Sequence, residues 1–156
     1  MLAAALAGCG GAQGDTSNVE VQWQFGGLVA LPAVAALTPH TVVPYSGYPG
    51  SSFHLGAFGG DADWQVFAGA ALVEDAPSIA GGQAVIFAVF DAQTNTLAPN
   101  SVQRRDDTLI YTLDWDGIEP HYATSTPAAL VLVDRTGITG VTVRARAGDI
   151  GSFPVP

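Results

Sequence analysis

Two short acidic segments of the chain could bind a hard cation. Asp61 and Asp63 stand two residues apart, as do Asp114 and Asp116, and Glu119 follows the second pair. Carboxylate oxygens are the ligands that Ca²⁺ prefers, and this spacing in a loop lets two of them reach one ion. Asp before Gly, as at Asp116, is also ordinary turn chemistry, because Asp caps its own backbone and Gly accepts a positive φ. The sequence therefore leaves two interpretations open, a calcium site or plain acidic turns.

The three histidines give no metal-binding pattern. His40, His54 and His121 are far apart in the sequence, whereas zinc sites usually contain His or Cys pairs at short intervals. A serine hydrolase remains a hypothesis, with Ser51 or Ser52 as nucleophile and His54 or His121 as base, because catalytic triads are defined by geometry and not by order. The segment lacks the Gly-x-Ser-x-Gly elbow. We therefore expect no enzymatic activity and no cofactor other than the possible calcium.

Aromatic side chains in the predicted loops are the best candidates for contacts with a ligand or partner. Tyr45 and Tyr48 lie in a proline-rich stretch, and Tyr122 directly follows His121. Tyrosine presents a flat apolar ring with a polar tip, and loops carry much of the binding function of β proteins. We expect these four residues to contact a protein or surface polymer. The alternative is a carbohydrate-binding site built on the tyrosines.

The single cysteine lies close to the N-terminus, where residues 6–9 read LAGC and end at Cys9. This segment resembles the lipobox of bacterial lipoproteins, in which the cysteine is lipidated and becomes the first residue of the mature chain. The resemblance implies that residues 1–8 are a truncated signal-like segment and that residues 9–18 are a flexible tether. It also implies an extracytoplasmic protein of the bacterial cell envelope, attached to the membrane only by lipid. The alternative is a free thiol in an Ala/Gly-rich N-terminus.

Composition indicates one folded domain and excludes some partners. The chain has 156 residues, of which 48% are hydrophobic, and its 14 acidic and 5 basic side chains give a net charge of −9. Such a length and apolar fraction can build a packed core. Phosphate backbones and anionic lipid headgroups would repel this charge, so we expect neither nucleic-acid binding nor polybasic membrane attachment.

One long segment carries no charge. Residues 21–60 contain no Asp, Glu, Lys or Arg, and the run from Phe25 to Leu37 is mostly apolar. A membrane-spanning helix needs about 20 apolar residues, and this run is shorter and contains Pro32. We interpret it as a buried or partner-facing surface, through which the protein could form a homo-oligomer.

Alternating hydrophobicity predicts an all-β fold. Strands are predicted at residues 19–25, 53–58, 83–91, 107–115, 128–134 and 140–147, with an extended segment at 64–73. Trp23 and Trp115 fall on the apolar faces of their strands, where core packing explains them. Residues 38–52 are rich in proline and predict a long loop. These patterns favour an immunoglobulin-like β-sandwich of seven or eight strands at residues 19–150, with an open β-barrel as the alternative.

The second half of the chain resembles a known family. The segments GQAV, FAVFD, YTLDWDG, DRTG and VTV, in this order within residues 77–148, are similar to the immunoglobulin-like modules of bacterial surface proteins, including the PKD-type domains. The resemblance implies a β-sandwich. Residues 75–82 are a possible boundary between two subdomains.

The sequence thus supports three functional hypotheses. The first is a non-enzymatic, lipid-anchored envelope protein that binds a protein or surface polymer, or is a subunit of an extracellular assembly. The second is a carbohydrate-binding module, and the third is an unrecognised serine hydrolase.

Overall fold

The computed structural model describes residues 15–37, 40–46, 50–91, 97–115, 125–146 and 148–155. These residues form two five-stranded sheets, with the strand order β1-β6-β7-β9-β10 in sheet A and β2-β8-β5-β4-β3 in sheet B. The strands are β1 (Ser17–Asn18), β2 (Trp23–Ala30), β3 (Thr41–Pro44), β4 (Ser52–Phe58), β5 (Gln83–Phe90), β6 (Ala98–Arg105), β7 (Thr108–Asp114), β8 (Ser125–Asp134), β9 (Gly140–Ala145) and β10 (Gly148–Pro154). The two sheets stay separate and do not close into a barrel. The predicted all-β sandwich is therefore confirmed.

Strand β5 is the centre of the fold, and it is covered on both faces. Ile86, Ala88 and Phe90 face the core between the two sheets. Phe87 and Val89 face the opposite way, into a second core on the outer side of sheet B. A strand that is apolar at every position needs such a double cover, as the sequence predicted for residues 83–91.

A helix and a 3-10 helix form the cover over the outer side of sheet B. The α-helix α1 (Asp61–Ala71) buries Trp64, Phe67, Ala68 and Ala71, and the 3-10 helix (Leu31–Ala36) packs against it. The prediction of an extended segment at residues 64–73 is wrong. The four buried positions follow the spacing i, i+3, i+4, i+7, which places them on one face of a helix.

The segment after Thr38 also differs from the prediction. Strand β3 (Thr41–Pro44) pairs with β4, so that Val42 lies opposite His54 and Val43 opposite Phe53. The predicted loop at residues 38–52 therefore contains a short strand. Its proline is tolerated because Pro44 is the last residue of a strand at the edge of the sheet.

The N-terminal segment belongs to both sheets. Ser17 pairs with Arg104 in sheet A, and the N–H of Val19 donates to the carbonyl of Val102 at 2.9 Å. The chain then crosses over, because the N–H of Gln22 donates to the carbonyl of Leu132 in sheet B at 2.9 Å. The strand predicted at residues 19–25 thus begins later, at Trp23, and continues to Ala30.

Most of the apolar run at residues 25–37 is covered within the molecule itself. Val29 and Ala33 are buried in the core beneath α1, and Phe25 and Leu37 pack against that core. Leu28 is 50% exposed. Among the described residues, no helix has both the length and the apolar character that crossing a bilayer requires. Self-association through this run stays a prediction, with Leu28 as its exposed apolar side chain.

The structure also contains strands that the sequence did not predict. Strands β6 and β10 flank the predicted strands of sheet A, and β10 ends at Pro154. Both contain prolines and polar residues, and both have an irregular register beside a neighbour. Such interruptions remove the regular alternation by which strands are predicted.

Candidate functional site

An aromatic cleft lies at one end of the sandwich, where β3, β9 and β10 end or begin. Its volume is about 490 Å³, within the range of about 300–1,000 Å³ that small-molecule sites occupy. The residues that line it are Val43, Pro44, Tyr45, Ser46, Phe53, Trp115, Ala145, Arg146, Gly148, Asp149 and Ile150. The cleft therefore combines an apolar wall with charged residues of both signs.

Close packing between the sheets positions this wall. The backbone of β10 lies against β3 at Gly151, where a Cβ atom would be 2.8 Å from Cγ2 of Val43. Only a residue without a side chain fits such an approach. Gly151 therefore holds the last strand of sheet A against the edge of sheet B, next to the cleft.

Tyr45 is the central aromatic residue of the cleft. Its ring centroid lies 5.1 Å from that of Trp115 and 6.1 Å from that of Phe53, both in edge-to-face geometry. Phe90 adds a third edge-to-face contact at 5.8 Å. Such contacts fix the rings because the positive edge of one ring meets the negative face of the next. The aromatic wall is therefore preorganised.

Polar groups are available around this wall. The side chains of Arg146 and Asp149 are exposed, and Asp149 forms an ion pair with Arg144 at 3.2 Å. The indole Nε1 of Trp115 is buried and has no hydrogen-bond partner among the described residues. A buried donor without a partner is rare in native proteins, so this nitrogen is an unusual feature beside the cleft.

A second polar cluster lies on the outer face of sheet B. Nε2 of His54 is 2.8 Å from Oδ2 of Asp91, and Nδ1 of His54 is 2.8 Å from Nε2 of His40. The other oxygen of Asp91, Oδ1, accepts the backbone N–H of Ser52 at 2.8 Å. The register of the sheet brings these residues together, since β4 pairs with β3 on one side and β5 on the other.

The carboxylate determines the hydrogen-bonding roles in this cluster. Asp91 can only accept, so His54 donates from Nε2 and, when neutral, accepts at Nδ1. His40 then donates from its Nε2 to His54. In this assignment every contact along His40, His54 and Asp91 joins a donor to an acceptor.

The structure shows only part of the geometry that a serine hydrolase needs. His54 has an aspartate partner, but its second nitrogen faces His40 and not a serine. Ser52 takes part through its backbone N–H, and Ser51 is buried. Within the described part of the chain, neither serine hydroxyl has a hydrogen bond to His54, so His54 cannot activate them in this arrangement.

The candidate calcium ligands lie in separate places. Asp61 and Asp63 are in the first turn of α1, where Oδ1 of Asp61 accepts the backbone N–H of Ile79 at 2.8 Å. Asp114 ends β7 and accepts a hydrogen bond from Asn100 at 3.1 Å. No three His, Cys, Asp or Glu side chains come together as a metal site among the residues that the structure describes.

Several predicted site residues cannot be placed. Cys9, Tyr48, Asp116, Glu119, His121 and Tyr122 lie outside the described residues. Of the four predicted contact residues, Tyr45 is the one that the structure describes.

Among known proteins, no protein-family model, no curated protein and no solved structure matches this chain. The site must therefore be interpreted from its own residues.

The sequence predicted neither the hydrogen-bonded cluster of His40, His54 and Asp91 nor the position of Trp115 in the cleft. The three members of the cluster are separated by 14 and 37 residues, so no short motif marks them. Trp115 was expected only in the core, but it also lines the cleft because it follows the last residue of β7.

Proposed function

We propose that this protein is a non-enzymatic, lipid-anchored binding protein of the bacterial cell envelope, and that the aromatic cleft is its binding site. The observation that carries the binding role is the position of Tyr45 and Trp115 in a cleft of about 490 Å³. The lipobox-like segment that ends at Cys9 supports the envelope location. Only 12% of the residues are charged, which supports binding through apolar and hydrogen-bonding contacts. The two charged residues that line the cleft, Arg146 and Asp149, carry opposite charges.

Recognition of a carbohydrate is the second candidate, and the composition of the cleft favours it. The C–H faces of sugar rings pack on aromatic side chains, and their hydroxyl groups pair with carboxylate and guanidinium groups. Tyr45 and Trp115 supply the aromatic surfaces, while Asp149 and Arg146 supply an acceptor and a donor. The ligand would then be one unit of a surface glycan.

Cross-linking in intact cells tests the binding role. A photoreactive residue placed at Ser46, an exposed residue of the cleft, should form an adduct with an envelope component. The same residue placed at Asp63, which is exposed on α1, is the matched control. Equal labelling from both positions, or none from Ser46, would contradict the proposal.

A glycan array tests the second candidate. Binding should be lost in Tyr45→Ala and weakened in Asp149→Ala, whose side chain is exposed. Asp63→Ala should bind like the unchanged protein. If Asp149→Ala and Asp63→Ala bind equally well, or if no glycan binds, the carbohydrate candidate is wrong.

Intact-mass spectrometry of the protein from its host tests the anchor. We expect a mature chain that begins at Cys9 and carries a lipid mass. A chain that retains residues 1–8 and an unmodified thiol would contradict the lipoprotein part of the proposal and leave the cleft unaffected.

A further inference from the structure

The four edges of the two sheets are not equally protected against pairing with another strand. Edge strands present unpaired N–H and C=O groups, and proteins usually blunt them with short length, proline, charge or a bulge. In this fold the edges are β1 and β10 in sheet A, and β2 and β3 in sheet B.

Three of these edges carry such devices. Strand β1 has only 2 residues. Strand β3 has 4 residues and ends in Pro44. Strand β10 contains the charged Asp149, a register shift between Asp149 and Gly151, and Pro154. Each device limits the regular ladder that a foreign strand could form.

Strand β2 has none of them. It is 8 residues long, reads WQFGGLVA, and contains no charged residue and no proline. It pairs with β8 from Trp23 to Ala30 without a register shift. Along it, Gln24, Gly26 and Leu28 are exposed, Leu28 by 50%. The longest edge strand of the described residues is therefore also the unprotected one.

We propose that β2 is an interaction edge, and that it pairs antiparallel with β2 of a second copy of this chain. A two-fold axis makes the edge complementary to itself, because each strand offers its partner the same backbone groups. An axis near Gly27 would place Phe25 opposite Val29 of the second copy, on the side of the sheet that α1 covers. Aromatic and β-branched residues form favourable cross-strand pairs.

Charge favours a second copy over a foreign strand. The whole molecule carries a net charge of −9, yet residues 21–60 contain no charged side chain. Two copies can therefore meet along β2 without placing like charges opposite each other, which would destabilise the pair. A charged partner strand would find no opposite charge on this edge.

The proposal does not depend on the cleft, because β2 lies at the opposite edge of sheet B from β3, whose residues line the cleft. It gives a specific geometry to self-association. Joining two copies of sheet B would produce one continuous sheet with α1 of each copy on the same side.

Sedimentation of the 156-residue chain over a range of protein concentrations tests the proposal, with a reductant present so that Cys9 cannot form a disulfide. We expect a monomer–dimer equilibrium. Leu28→Lys should weaken it by roughly tenfold or more, because the two lysines would lie close to the two-fold axis. Val42→Lys is the matched control, since Val42 is 51% exposed and lies on β3 at the other edge of the same sheet.

Hydrogen exchange provides a second readout that does not need a variant. The amides of residues 23–30 that point away from β8 should exchange more slowly as the protein concentration rises, whereas those of β3 should not change. A protein that stays monomeric at every concentration would overturn the proposal. So would a dimer that both lysine variants weaken equally, or that neither weakens.

Discussion

Nε2 of His54 lies 2.8 Å from Oδ2 of Asp91, and this contact links strand β4 to the residue that follows β5 in sheet B. The side chains are 12% and 27% exposed, so the pair is partly shielded from water. Because the same carboxylate also accepts the backbone N–H of Ser52, it holds the start of β4 against the end of β5.

Asp91→Ala should therefore destabilise the protein by about 2 kcal/mol, because two donors lose their acceptor. Chemical denaturation monitored by tryptophan fluorescence measures the change in the free energy of unfolding. Glu74→Gln, which removes one exposed negative charge, is the control and should change little. Equal stability of the two variants would mean that the cluster does not stabilise the fold.

Gly56→Ala should cost about 2 kcal/mol through overpacking. A Cβ atom at Gly56 would lie 2.6 Å from Cζ of Phe87 and 3.2 Å from Cβ of His40. Thermal and chemical unfolding measure the loss. Gly69→Ala is the matched control, because a Cβ there meets nothing within 4 Å on the exposed side of α1. That variant should gain up to about 1 kcal/mol from helix propensity, and a loss there would contradict the reasoning.

Tyr111→Phe should stabilise the protein by about 1 kcal/mol at neutral pH. The Tyr111 hydroxyl is buried between the sheets without a hydrogen-bond partner among the described residues, so its removal relieves a desolvation penalty. Urea denaturation of both proteins gives the difference. A loss of stability would indicate that the hydroxyl has a partner.

The same residue predicts a dependence on alkaline pH. Burial raises the pKa of Tyr111 well above its ordinary value of 10.0. The unfolded tyrosine ionises near pH 10 while the folded one stays neutral, so stability falls as the pH rises above 10. This decline should be shallower in Tyr111→Phe. Parallel curves for the two proteins would contradict the expected shift.

Acid should weaken the turn after β8. The backbone N–H of Thr136 donates to Oδ1 of Asp134 at 2.8 Å, and this hydrogen bond is the main reason that the pKa of Asp134 lies below 3.8. A lowered pKa in the folded state contributes stability that is fully present above the unfolded pKa of 3.8, and this contribution is lost as the pH falls further, through the lower pKa of the folded state. Asp134→Asn should therefore show a smaller loss below pH 4 than the unchanged protein, whereas Glu74→Gln should not.

The strands with clean patterns could be predicted from the sequence. In β7, Leu109, Tyr111 and Leu113 are buried between the sheets and alternate with residues that are polar except for Ile110. In β5, both faces are apolar because both faces are covered. Local pattern and tertiary burial agree at these positions, so the pattern was sufficient.

Helix α1, the aromatic cleft and the cluster at His54 could not be predicted, because they depend on contacts between distant segments of the chain. Helix α1 buries Trp64, Phe67, Ala68 and Ala71, but its exposed side carries the apolar Val66 and Ala70, which blur the helical pattern in the sequence. Tyr45 was predicted as a contact residue because it lies in a predicted loop. Its partner Trp115 and the cluster at His54 arise only when the strand register is known, and a single sequence does not supply that register.

The crossing of the N-terminal segment between the sheets has a mechanical consequence. A pull on the N-terminus first loads the short ladder between β1 and β6, and only afterwards the eight-residue ladder between β2 and β8. Rupture of the first ladder would free residues 17–21, because Gln22 is already bonded to sheet B, and would lengthen the chain by at most about 17 Å, at roughly 3.3 Å per residue. The central strands would stay paired, while the core between the sheets would lose only the contacts of Val19 and Val21 at its edge. Under tension, the N-terminal segment should therefore detach before the rest of the domain unfolds.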